Sequence, residues 1–174
     1  MTDIVPPFVR SRMMSGIRGK NSVPEMMVRR LLFAAGYRFR LHRRDLPGTP
    51  DIVMPSRKIV VFVHGCFWHA HKGCKYAKIP ATRPEFWSAK LEANVSRDRL
   101  VIEKLIALKW RVLCVWECAI RDQNAAISLK EKIIEWINSD TQFGEISSAG
   151  SRSLENEILQ NSYLISATKS ETCK

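Results

Sequence analysis

Residues Ile59–Val63 form five consecutive apolar positions, four of them β-branched, with no polar residue between them. A strand that does not alternate must be covered on both faces, which requires a sheet lying between helices. The preceding β-branched run, Ile52–Met54, is joined to it by Pro55–Lys58 and reads as a hairpin feeding a buried central strand. Arg111–Trp116 has the character of a second buried strand. Helical patterns lie around these runs. Ser22 and Glu25 have capping-box spacing with Pro24 between them, and Met27, Val28, Leu31, Leu32 and Ala35 follow at helical period, predicting a helix over 24–35. Leu91, Val95, Ile102, Leu105 and Ile106 predict another over 88–108, and residues 125–137 a third. Tyr37–Leu41 alternates apolar and basic residues as a strand would, and Leu46–Thr49 breaks it. The expected fold is a single α/β domain with a mixed central sheet flanked by helices.

A chain of 174 residues suits one domain. Three segments are expected: a basic arm over 1–23, a folded domain over 24–138, and a polar, Ser-rich tail over 139–174 that is peripheral and in part disordered. No signal peptide and no run of about 18 apolar residues is present, so a soluble, cytoplasmic monomer without membrane contact is expected. The net charge of +11 calls for a polyanionic partner. Most of the excess sits in residues 1–44, where ten Arg and Lys face only Asp3 and Glu25. Five cysteines, an odd number, argue for reduced or metal-bound thiols rather than a disulfide framework.

Spacing favours the metal. Cys66, His71 and Cys74 share one irregular loop, and Cys118 follows the Arg111–Trp116 strand. Three thiolates and one imidazole are the ligand set of a structural zinc ion, which would hold a loop that has no core of its own. Cys114 falls in the strand and is expected in the core, while Cys173 is expected to be free.

Pro50-Asp51 followed by Phe62-Val63-His64 on a β-branched strand has the layout of a PD-(D/E)xK nuclease core, with two departures. Phe62 stands where the second carboxylate belongs and His64 where the lysine belongs. A lone Pro-Asp is more often a structural turn. The wider stretch GTPDIVMPSRKIVVFVHGCFWHAHKGC, with PATRPEFW and VLCVWECAIR after it, resembles the very short patch repair (Vsr) mismatch endonucleases over about residues 10–121. The resemblance implies a nuclease domain in which Asp51 and the backbone carbonyl of Val63 bind Mg2+. Threonine is usual at the second position, but valine presents the same carbonyl. It further implies His69 as general base or water-orienting group, His64 as a phosphate-side partner, and Glu25 as a supporting carboxylate. Cys66, His71, Cys74 and Cys118 match the family's zinc ligands, with one extra residue in the Lys72-Gly73 turn. Asn94 and Asp98, four residues apart on one helix face, place Asp98 where it could orient a histidine of the site.

Adjacent aromatics in a polar loop, Phe67 and Trp68, have the character of a wedge, which enters a duplex most readily where pairing is already weak. By resemblance Trp87 and, from the minor groove, Met14 join them as intercalating residues. The implied substrate is duplex DNA with a T:G mismatch, nicked 5′ of the thymine, with other mismatch-repair proteins as further partners. Two other readings fit the composition: a restriction-type endonuclease acting on matched DNA, and a non-catalytic zinc module that binds DNA.

Overall fold

The computed structural model describes residues 20–154 together with residues 8, 9 and 12. Most of the expected arm, Met14 and Cys173 lie outside the described residues.

Helix α1 (Val23–Ala34) begins with the expected box: Glu25 N–H donates to Ser22 Oγ and Ser22 N–H to a Glu25 carboxylate oxygen, both at 3.3 Å. The first strands are β1 (Arg40–Leu41), β2 (Ile52–Met54) and β3 (Ile59–His64), paired antiparallel in that order. The β2–β3 turn is a short 3-10 segment over Pro55–Arg57, closed by Lys58 in the left-handed region at φ 53°. Helix α2 (Pro84–Ala107) crosses back so that β4 (Arg111–Trp116) pairs parallel with β3. It starts one turn before its apolar period does, because Pro84 is preset for the first helical turn. The expected 125–137 helix divides into α4 (Gln123–Ile127) and α5 (Leu129–Asn138), preceded by the single turn α3 (Cys118–Arg121). Asp122 caps α4 through the Ala125 N–H, and Ser128 separates α4 from α5.

The expectation for the tail differs from the structure over residues 143–154. Strand β5 (Phe143–Ser147) pairs parallel with β4, and β6 (Gly150–Leu154) pairs antiparallel with β5. Phe143 and Ile146 are buried, and this burial, invisible in a short polar stretch, draws the segment into the sheet. The result is a six-stranded mixed sheet in the order β1-β2-β3-β4-β5-β6.

Period-two alternation divides β3 between two cores. Ile59 and Val61 join Val28 and Leu32 of α1 and Ile133 and Ile137 of α5. Val60 and Phe62 face Ile102 and Leu105 of α2 on the opposite side. The sheet is therefore covered on both faces, as its unalternating strands require. No helix among the described residues is long and apolar enough to cross a membrane.

Candidate active site and metal cluster

Parallel pairing of β3 with β4 sets the carboxyl ends of both strands side by side, with His64 opposite Trp116. The Glu117 N–H donates to the His64 carbonyl at 2.8 Å. Everything that follows β3 therefore meets everything that follows β4, and this brings Cys118 to the 66–74 loop. Cys66, His71, Cys74 and Cys118 offer ligand atoms that all lie within 4.8 Å of one another. The Cys66 and Cys118 sulfurs are each 3.5 Å from His71 Nδ1. That matches the edge of about 3.5 Å between thiolate and imidazole donors around one tetrahedral ion. The four residues could therefore hold a metal. Burial pushes the Cys66 thiol well up, so that proton must leave if an ion is to be held. Supports surround the cluster: the His71 ring stacks on Trp116 at 4.0 Å, and the Ser148 N–H from the β5–β6 turn donates to Cys118 Sγ at 3.4 Å. Glu117, missed in the sequence, accepts from the Cys66 N–H at 3.3 Å and so ties the loop to the end of β4.

Beside this cluster a cleft of about 480 Å³ opens between the 48–51 turn and α2, lined among others by His42, Asp51, His64, His69, Asn94 and Asp98. Asp51 stands at the entry of β2, where one oxygen, Oδ2, accepts the Val63 N–H at 2.8 Å. Burial raises its pKa, opposed by that N–H and by the charges of Arg29 and His69. His69 Nδ1 lies 2.5 Å from Asp98 Oδ2, which fixes the ring and leaves Nε2 for a substrate. His64 stacks on His69 with ring centres 3.9 Å apart and planes 2° from parallel. Full burial, reinforced by the neighbouring His69, pushes His64 down to about 3, so it is neutral at physiological pH.

Of the residues expected in the chemistry, Asp51, Val63, His64, His69, Asn94 and Asp98 all line this cleft. Glu25 does not. It is buried beneath the cleft, paired with Arg29, and 3.2 Å from His42 Nε2. Asn94 Nδ2 donates to the Trp68 carbonyl at 2.9 Å, so α2 holds the aromatic loop in place. Phe62, in the position of a second carboxylate, belongs to the core against α2.

Phe67, Trp68 and Trp87 meet edge to face, with ring centres 5.1 to 6.2 Å apart. They are half-buried against one another rather than exposed singly. Lys90, three residues after Trp87 and thus on the same helix face, sets its ammonium 5.5 and 5.6 Å from the Trp68 and Trp87 rings. Sequence reasoning passed over it, although that i, i+3 spacing was there to be read. Lys20, expected only as one of the basic residues of the arm, also lines the cleft, as does Arg97, which went unnoticed because an isolated basic residue carries no local signal.

Comparison with known proteins agrees with this geometry. A family model described as DNA mismatch endonuclease Vsr matches residues 2–75, the part that carries Asp51, all three cleft histidines and three of the four cluster ligands. The chain is 50% identical over 135 residues to the Type II nicking enzyme V.XorIIP of Xanthomonas oryzae pv. oryzae, covering 78% of this chain and 98% of that one. Identity to the DNA mismatch endonuclease Vsr of Escherichia coli K12 is 41% over 152 residues, covering 86% and 97%. The Type II nicking enzyme V.NmeAIP of Neisseria meningitidis serogroup A shares 39% over 123 residues, covering 71% and 87%. With identities this high over nearly the whole of two relatives, the chain belongs to the Vsr family of DNA mismatch endonucleases.

Proposed function

We propose that the protein is a Mg2+-dependent endonuclease that nicks one strand of duplex DNA on the 5′ side of the thymine in a T:G mismatch. The observation that carries this reading is the convergence of Asp51 and the His69–Asp98 pair on one cleft at the end of β3. Asp51 and the Val63 carbonyl would hold the magnesium ion. The fit is good, because the Val63 N–H takes Oδ2 and leaves Oδ1 of a partly buried carboxylate whose charge lacks full compensation. When bound, the ion supplies charge stabilisation at the phosphate and a more acidic water.

The remaining steps fall to the protein. His69, oriented by Asp98 through Nδ1, takes the proton of the attacking water on Nε2. Neutral His64, stacked beneath, keeps the His69 ring in its plane without adding a competing charge. Asn94 acts through the loop it holds rather than on the phosphate, and Glu25 acts from below the cleft. One carboxylate in place of two makes this a reduced PD-(D/E)xK-like core. Phe67, Trp68 and Trp87, with Met14 from the arm, form the wedge that enters at the weakened pair, where stacking on an aromatic returns about 1 to 3 kcal/mol per base.

We assign zinc to the Cys66, His71, Cys74, Cys118 cluster from its three-sulfur, one-nitrogen donor set and its tetrahedral edges. Cys118→Ser should lose the ion and thermal stability together; a variant that retains one equivalent of zinc by elemental analysis would remove Cys118 from the set. For the reaction, nicking of a T:G duplex with Mg2+ is compared with the matched duplex of the same sequence. Asp51→Ala should abolish nicking and leave mismatch binding intact. Nicking that survives the substitution would take Asp51 out of the mechanism, and equal cutting of matched DNA would point to a restriction-type enzyme.

A further inference from the structure

His42 is an anomaly in the cleft. It follows β1 in the left-handed backbone region at φ 47°, which a residue with a β-carbon seldom adopts outside turns and functional sites. That turn directs its ring into the space between α1 and Asp51, where both nitrogens face charged groups. Arg29 Nη2 lies 2.8 Å from Nε2, and Asp51 Oδ1 lies 4.0 Å from Nδ1. Arg29 is in turn paired with the buried carboxylate of Glu25.

Two contacts compete for Nε2, the Arg29 guanidinium at 2.8 Å and a Glu25 carboxylate oxygen at 3.2 Å, and the shorter one decides the tautomer. A guanidinium has only donors and already holds Glu25, so Nε2 accepts from it, and the proton of a neutral ring resides on Nδ1. The Nδ1 side of the ring is the side that faces Asp51 Oδ1, the oxygen that the Val63 N–H does not occupy. At 4.0 Å this is longer than a direct hydrogen bond, a gap that a small rotation of the carboxylate or one water closes. Glu25, His42 and Asp51 also lie close enough to gather a cation of their own. The Arg29 guanidinium already supplies the positive charge at Glu25 and occupies the His42 lone pair, which disfavours a second ion there.

We propose that His42 is a positioning residue for the nicking reaction, transmitting the buried Glu25–Arg29 pair through its imidazole to Asp51 and holding Oδ1 in the orientation that faces the cleft. The inference rests on the assignment of Asp51 as the ion-binding carboxylate. It also gives Glu25 a definite task, as the anchor of a chain that ends on Asp51.

The test uses His42→Gly and His42→Asn in the full chain. Both tolerate the left-handed backbone, so both should fold. Only Asn keeps a side-chain N–H near the position of Nδ1. For His42→Gly, the single-turnover nicking rate at fixed Mg2+ should fall ~10- to 100-fold, the range for losing a group that orients a ligand. The half-saturating Mg2+ concentration should rise, while binding to a mismatched duplex without divalent ions stays unchanged. His42→Asn should recover at least tenfold of that loss. A Gly variant with wild-type rate and Mg2+ dependence overturns the proposal, and so does an Asn variant no better than Gly. A wild-type protein that nicks no duplex with any Mg2+ concentration instead overturns the underlying function.

Discussion

His64 is buried between Phe62, His69 and Trp116, with the His69 ring stacked directly on its imidazole. Its folded-state pKa of about 3 lies far below the ordinary imidazole value of 6.5. Between these limits the unfolded chain binds a proton that the folded chain refuses, so folding stability is complete above about pH 6.5 and falls as the pH drops towards 3. The slope from this one residue approaches about 1.4 kcal/mol per pH unit. His64→Phe keeps a stacking ring and removes the titration. Denaturant melts of the zinc-loaded protein on the acid side of neutrality should therefore give a shallower pH slope for the variant than for the wild type. Equal slopes would assign the acid sensitivity elsewhere.

Glycine at 144 explains why β5 can lie where it does. A β-carbon there would fall 2.1 Å from Trp136 Nε1, so the α5 indole rests directly on the strand backbone. Gly144→Ala should cost about 1 to 3 kcal/mol by overpacking, measured by thermal or denaturant melts. Trp136→Leu in the same background should recover part of that loss, and a strictly additive double mutant would disconnect the two sites. The same strand marks the limit of what the sequence made legible. Locally encoded elements were readable: the Ser22–Glu25 box, the Pro55–Lys58 turn, and the Cys66, His71, Cys74 spacing each depend on neighbours a few residues away. Phe143-Gly144-Glu145-Ile146 gives no such signal, since its strand state comes from pairing with β4 and from the indole above it. In the cleft, Asp51, His64, His69 and Asp98 were singled out chiefly through the family resemblance, which spacing alone supported only weakly, whereas Arg29 and His42 were not singled out. Their contact exists only because a left-handed turn after β1 points an otherwise ordinary histidine at the first helix.

On the scale of the whole molecule, two kinds of recognition are separable in space. The cleft is lined by the carboxylates of Asp51 and Asp98 together with Lys20 and Arg97, and the chain as a whole has a net charge of +11. Long-range attraction to phosphates is blind to pairing, and each neutralised phosphate contributes about −0.9 to the slope of log affinity against log salt. As the proposed wedge, the aromatic group of Phe67, Trp68 and Trp87 would act only at contact, and only where a base step yields. Matched and mismatched duplexes should then show the same salt slope, with a nearly constant ratio of affinities across salt concentrations. Replacing Lys20 and Arg97 with glutamine should flatten that slope by up to about two units of the per-phosphate increment and leave the ratio alone. Trp68→Ala should do the reverse, drawing the ratio towards one at an unchanged slope. If Trp68→Ala instead weakens both duplexes equally, the indole serves to pack the loop against α2, and discrimination must reside in the other aromatics or in Lys90, which borders the same rings.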